Sequence, residues 1–299
     1  MAAEFKYASD YPTRLVTVAK FIFRLKKWWR FIRVQRPVTT LLGPQYRPSH
    51  DLIEIDITYH CNLRCLNCNR SCTQAPSKEA LELTDIRSFV DESIVQGRDW
   101  RRIRVLGGEP THHPQFSAII DELLRYKAHH AGCKIEVVTN GYGKHTRKAL
   151  ASLPHDIEIE NSAKTSNVQP SFAPFNLAPV DDRTYRFADY TNGCSIMDEC
   201  GIGLTPRGYY PCAVAGGIDR VLGGKTGRSH IPAKADDMKE LLQEACSLCG
   251  RFYDGHYVPP KLRSSLDEAA QSPSWQQIYK TWNQREAKET DDSSKTTAP

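Results

Sequence analysis

The chain opens without an export signal: Met1 to Asp10 is polar, and the apolar stretch that follows is broken by Lys20 and Arg24. A secreted, disulfide-stapled protein is therefore not expected, and the ten cysteines read as ligands in a reducing cytosol. No run approaches the ~20 uncharged apolar residues that span a bilayer. No internal repeat is present, which sets solenoids and propellers aside. No base-reading module accompanies the basic residues, so nucleic acid is not an expected partner. The most local absence is of acid: no Asp or Glu occurs between Asp10 and Asp51, although the whole chain carries a net charge of only +5.

What is present divides by composition into 1–50, 51–165 and 166–299, and the domains expected run over 1–50, 51–190, 191–284 and 285–299. In the first part Leu15, Val18, Ile22, Leu25, Trp29 and Ile32 recur at steps of three and four, one apolar stripe on a helix. Lys20, Arg24, Lys26, Lys27, Arg30 and Arg33 fill much of its remaining surface, and Pro37 ends it. The second part repeats strand then helix. Ile53, Ile55 and Ile57 alternate with polar residues as a strand does, and Thr84 caps a helix carrying Ile86, Phe89, Val90 and Ile94, closed by Gly97. Further strands fall at 103–106, 135–138 and 157–159, with one more short strand at Tyr185 to Phe187. This alternation predicts an α/β fold whose parallel sheet is open or closed into a barrel, with ligands at the carboxyl ends of its strands. Beyond residue 165, Pro170, Pro174 and Pro179 punctuate a long loop. A hairpin follows at Ile202 to Leu204 and Tyr209-Tyr210, then a short helix from Asp236 to Ala245. The tail from Arg285 is polar and expected to be disordered.

The chemically unusual residues follow the strand ends. Cys61, Cys65 and Cys68 form Cys-x3-Cys-x2-Cys after the first strand. Three thiolates on one loop can bind three irons of a 4Fe-4S cluster and leave the fourth open, or form part of a zinc site. Gly107, Gly108 and Glu109 close the second strand, where glycines admit close approach and an acid can hold an ammonium group. Thr139-Asn140-Gly141 follows the third strand and Asn161-Ser162 the fourth.

Over residues 51–165 the triplet and the Gly-Gly-Glu together resemble the radical S-adenosylmethionine (radical SAM) superfamily. The resemblance implies a partial (β/α) TIM-like barrel and an enzyme that cleaves S-adenosylmethionine reductively at a 4Fe-4S cluster. The resulting 5′-deoxyadenosyl radical takes a hydrogen atom from the substrate. It further implies that Glu109 meets the methionine ammonium, that Thr139, Asn140, Asn161 and Ser162 contact the ribose or carboxylate, and that a flavodoxin- or ferredoxin-type protein donates electrons. One departure is Asn67, where the family usually has an aromatic residue before the third cysteine.

The later cysteines extend the resemblance. Cys194, Gly208, Cys212, Cys246 and Cys249 resemble the twitch form of the SPASM domain, which holds a second, auxiliary 4Fe-4S cluster with a hairpin and a helix. A split Cys-x2-Cys also builds zinc ribbons. By the family interval Cys194 is the ligand, leaving Cys200 a free thiol near the active site or an alternative ligand. Some relatives are epimerases in which a cysteine returns a hydrogen atom, with Cys200 and Cys72 as the candidate donors here. Others are dehydrogenases whose auxiliary cluster accepts the second electron. An incidental thiol is an equal reading for each of these two cysteines, and Cys133 reads as a core residue.

Glu160 and Lys164 could contact substrate or form a solvated pair, and His112 and His113 stay unassigned. The basic helix has three readings: packing on the barrel, lying on an anionic membrane surface, or binding a partner or peptide. The first 50 residues are too few for this helix and a winged-helix peptide-recognition domain. A small molecule such as a sugar, a cyclitol or a lipid-linked precursor is therefore expected, with a peptide left open. The expected location is the cytoplasm, with association at a membrane surface open. A non-catalytic zinc protein is the alternative from another class.

Overall fold

A strand paired on both edges and covered on both faces has no solvated side, and Leu52-Ile-Glu-Ile-Asp-Ile-Thr58 is such a strand. All seven of its residues are buried in the computed structural model, which describes residues 13–165, 174–259, 262 and 270–296. This β1 (Leu52–Thr58) lies inside a six-stranded sheet ordered β4-β3-β2-β1-β5-β6. The other strands of the sheet are β2 (Arg102–Gly107), β3 (Lys134–Thr139), β4 (Ile157–Asn161), β5 (Ile202–Thr205) and β6 (Gly208–Tyr210), of which β2 and β5 flank β1. Every pairing is parallel except β5 with β6. The fold is α/β, and its four leading strands in the order 4-3-2-1 form the partial TIM-like arrangement.

The register sorts side chains into two chemistries, because neighbours along a strand face opposite ways. One row runs Ile202, Ile53, Ile103, Ile135, Ile157 across five strands. Helices α3 (Leu83–Val95) and α4 (Phe116–His129) share a core with it through Ile86, Phe89, Val90, Ile119, Ile120 and Leu123. The adjacent row, Glu54, Arg104 and Glu136, is charged and faces the other way. That inner face is met by the C-terminal part of the chain.

Residue 190 is not a boundary of the sheet. The hairpin expected in a separate cluster domain instead extends the main sheet, because Ile202 and Leu204 align with Ile53 and Ile55 on an edge of β1 that would otherwise be unpaired. Helix α7 (Ala213–Leu222) sits so close to β5 that a Cβ at Gly203 would lie 2.2 Å from the Ala213 nitrogen.

Several expectations are corrected. Helix α3 is capped by Glu82 and Asp85, each accepting from the other's backbone nitrogen, and Thr84 lies within its first turn. No strand forms at Tyr185 to Phe187; Arg183–Tyr185 is a 3-10 turn whose Thr184 nitrogen donates to Asp182. Pro37 opens a second helix, α2 (Arg36–Leu42), after α1 (Thr13–Arg33) has ended. The segment from Arg285 continues α10 (Pro273–Thr296), anchored by buried Trp275, Tyr279 and Trp282 and by Arg285 Nη1 donating to Leu222 O at 2.7 Å. Pro170 lies outside the described residues. Helix α1 does not pack its apolar stripe on the sheet; it turns Arg30 and Arg33 inward and the stripe outward.

Candidate active site

The loop after β1 carries Cys61, Cys65 and Cys68, and the ends of β2, β3 and β4 are built around it. Gly107 and Gly108 hold it from below. A Cβ on Gly107, at φ +125°, would meet Thr58 O at 2.3 Å, and one on Gly108 would meet His60 O at 2.3 Å. The backbone nitrogens of Gly108 and Glu109 donate to Thr58 O and His60 O at 2.7 and 2.9 Å. The glycines thus permit two strand ends to touch, which fixes where the thiols stand.

Glu109 is fully buried, and its carboxylate accepts from Thr111 Oγ1, Thr139 Oγ1 and the Asn140 nitrogen, each at 2.8 Å. These bonds occupy most of its lone pairs. In this structure Glu109 therefore orders the turn after β3. That turn places Asn140 Nδ2 at 3.9 Å from Cys61 Sγ and at 2.8 Å from Asn62 Oδ1. The Ser162 nitrogen and hydroxyl both donate to Thr139 O at 3.0 Å, while Asn161 packs against Gly141 and accepts from the Ala163 nitrogen. Lys164, read from sequence beside Glu160, instead points its Nζ at Cys65 Sγ, 3.8 Å away. Glu160 pairs with Arg104.

Asn67 has φ +50°, a conformation asparagine tolerates and an aromatic residue resists. Its Oδ1 accepts from the Asn176 nitrogen at 3.0 Å, which accounts for the departure noted in the sequence. Cys72 is buried beside Cys68; its Sγ lies 3.9 Å from Arg70 O, and its neighbourhood draws the Cys68 thiol below its ordinary value. Burial pushes Cys61 up to about 12. Three thiols bordered by amide and ammonium donors are a set that suits a cluster whose sulfurs accept hydrogen bonds.

A second group gathers on the far side. Cys194 follows a 3-10 turn, Cys212 precedes α7, and Cys246 and Cys249 end α8 (Lys239–Leu248). Cys194, Cys212 and Cys249 are buried and Cys246 half-buried. All four thiols are raised by burial, and Cys212, Cys246 and Cys249 also by the field of neighbouring cysteines of the set. The buried guanidiniums of Arg30 and Arg251 stand within electrostatic reach and oppose that rise, as suits a thiolate-ligated cluster of net negative charge. Cys200 is not in this group. It ends α6 (Ile196–Glu199), with Arg104 Nη1 3.5 Å from its sulfur, and burial and Glu54 hold it well above the ordinary thiol value. Four residues of β1 separate the Glu54 level from Thr58, so Cys200 lies on the order of 13 Å below the strand ends. Among the described residues, no three of His, Cys, Asp or Glu converge as ligands of a single metal ion.

The sequence reading missed the inner-face charges. Arg70 donates to Glu54 Oε2 at 2.7 Å and to Asp56 Oδ2 at 3.1 Å, and Arg104 joins Glu54 and Glu136, each at 2.7 Å. Burial lifts Asp56 to about 6 even beside Arg70. The available signal was acid at alternate positions of a strand with two paired edges. His113 is structural, its ring contacting Leu81 O at 2.9 Å, while His112 lies between His60, met edge-on, and the tilted ring of His145.

The family described as the radical SAM superfamily matches residues 55–205, half of the chain. The chain belongs to that superfamily. Its radical SAM region is similar to proteins named GTP 3′,8-cyclase. With the one from Mannheimia succiniciproducens it is 30% identical over 113 residues, 37% of this chain and 32% of the relative. With that from Listeria welshimeri it is 35% identical over 72 residues, 23% of this chain and 21% of the relative. The chain thus spans a third or less of the curated relatives it matches. Among solved structures, BtrN in complex with AdoMet and 2-DOIA aligns over 69% of this chain and 93% of its own, with 14% identity and a TM-score of 0.41. SuiB of Streptococcus suis bound to S-adenosylmethionine aligns over 41% and 27%, with 20% identity and a TM-score of 0.28. As a radical SAM enzyme the protein uses a 4Fe-4S cluster and S-adenosylmethionine, for which Cys61, Cys65 and Cys68 are the fitting residues.

Proposed function

We propose that this enzyme removes two hydrogens from a small polar molecule. The observation that carries this reading is the second thiol set: Cys194, Cys212, Cys246 and Cys249 are largely closed off from solvent and within electrostatic reach of one another, with two guanidiniums in the same range. When bound, a cluster on the strand-end loop supplies the electron that opens S-adenosylmethionine, and a four-thiolate cluster at the second site supplies an acceptor for the electron leaving the substrate. The substrate gives up one hydrogen atom to the deoxyadenosyl radical, then a proton and an electron, so it ends two hydrogens short. A flavodoxin- or ferredoxin-type protein fits as the source of the first electron.

This chain's residues do the positioning. Asn140 and Lys164 donate to Cys61 and Cys65, and Glu109 holds the turn that aims Asn140. Cys212 lies within electrostatic reach of Arg70 and Glu54, so the second set adjoins the inner face of the sheet. In the row nearest the strand ends that face carries Asp56 and Glu160 against Arg70 and Arg104, carboxylates that suit amines and hydroxyls such as those of an aminated sugar or cyclitol. Epimerisation would need a thiol at the substrate. Cys200 is held by Arg104 far below the strand ends, and Cys72 is engaged with Cys68.

The test is anaerobic turnover of the full chain with S-adenosylmethionine, reductant and amine-bearing cyclitols or sugars in heavy water. Support is one deoxyadenosine per product lighter by two hydrogens. A product of unchanged skeleton bearing one solvent deuterium would assign epimerisation instead.

A further inference from the structure

Helix α1 is rolled opposite to the ordinary amphipathic helix of a globular protein. Its roll is set by Arg30, a buried side chain that donates through Nε to Phe252 O at 3.2 Å, through Nη1 to Gln45 Oε1 at 2.7 Å, and through Nη2 to Gly193 O. Arg33 adds a bond from Nη2 to Gly43 O at 2.9 Å. With these arginines inward, Val18, Phe21, Ile22, Leu25, Trp28 and Trp29 form a stripe on which every side chain is 45 to 63% exposed. At about 100° per residue, Arg24 runs along one edge of the stripe and Lys26 along the other. From residue 11 to residue 50 there are nine Lys and Arg and no acid.

We infer that α1 docks the enzyme flat on an anionic phospholipid surface, with the stripe among the acyl chains and the flanking cations at the lipid phosphates. Three observations favour lipid as the occupant. The stripe is a convex ridge on a single helix, with two adjacent tryptophans of the kind that sit at a membrane interface. The charge along its own segment is of one sign over forty residues, with Lys27 facing an acid from outside the segment, Asp254, and so complements an anionic plane. Among the described residues, no helix is long and apolar enough to cross a membrane, so the contact is with its surface.

The test uses the full-length holoprotein and vesicles of phosphatidylcholine alone or with about one third phosphatidylglycerol, some carrying brominated acyl chains. Trp100, Trp275 and Trp282 are buried, so lipid quenching reads Trp28 and Trp29. Roughly tenfold stronger sedimentation with the anionic vesicles, quenching by bromolipid, and release by high salt are expected. The double variant Phe21→Glu, Leu25→Glu keeps both reporter tryptophans and should lose binding and quenching, while its deoxyadenosine release in solution stays at the parent level. Absence of binding to anionic vesicles, or unchanged binding by the double variant, overturns the inference. So does a stable dimer in solution that this variant dissociates, because the stripe would then be covered by a second copy.

Discussion

Cys61, Cys65 and Cys68 hang from one loop at the mouth of the sheet, whereas Cys194, Cys212, Cys246 and Cys249 come from a turn, a helix start and a helix end and stand within electrostatic reach of one another. The first group has three thiols, two of them half-exposed, with donors from neighbouring strand ends aimed at their sulfurs. The second has four, three of them buried, balanced by guanidiniums rather than by direct hydrogen bonds from strand ends. Three ligands leave a coordination position for a reactant, and four close it. Burial follows the same division: two thiols of the first group are partly open to solvent, and three of the second are closed off from it.

Substitutions can break that contrast. Cys61→Ala removes one of three anchors and should lower deoxyadenosine release by more than about a thousandfold, ~4 kcal/mol in barrier. Cys212→Ala should spare much of that release and cut dehydrogenated product by roughly a hundredfold, ~2.7 kcal/mol. Chromatographic measurement of deoxyadenosine and product in the same reaction separates the two. Equal losses of both would merge the sites into one function. Arg70→Gln tests the buried charges between them. With Asp56 left uncompensated and Glu54 held by Arg104 alone, anaerobic denaturation should show a loss of about 3 kcal/mol, though glutamine retains some hydrogen bonding.

The smallest expected effect lies outside both groups and calibrates them. Arg228, at 2.8 Å, holds Asp236 below the usual carboxylate range. A depressed folded pKa gives stability that is present above the unfolded value and lost as pH falls through the folded one. Asp236→Asn should therefore cost about 0.5–1 kcal/mol at neutral pH, with the difference closing below about pH 4, as urea midpoints across pH would show.

Much of the strand-end chemistry was legible because it is local. The alternation of Ile53, Ile55 and Ile57 gave the strand, and the thiols and glycines follow the strand ends directly. What was not legible is long-range. Periodicity finds a stripe on α1 but cannot say which way the helix is rolled, since that depends on Arg30 meeting carbonyls of Gly193 and Phe252. Nor could it tell that Ile202 and Leu204 would pair with β1, or that Lys164 would leave Glu160 for Cys65. The helical tail misled for another reason. Its polar end reads as disorder, yet it continues a helix already fixed by Trp275, Tyr279 and Trp282.

The most direct test of the account is metal and sulfide analysis of anaerobically purified protein, with paramagnetic resonance before and after S-adenosylmethionine is added. Two clusters predict about eight irons and eight sulfides per chain, about half of them lost in a Cys61→Ala, Cys65→Ala variant. One reduced signal should shift on adding S-adenosylmethionine and the other should stay. Colourless protein holding zinc, or two signals that both ignore S-adenosylmethionine, would contradict it.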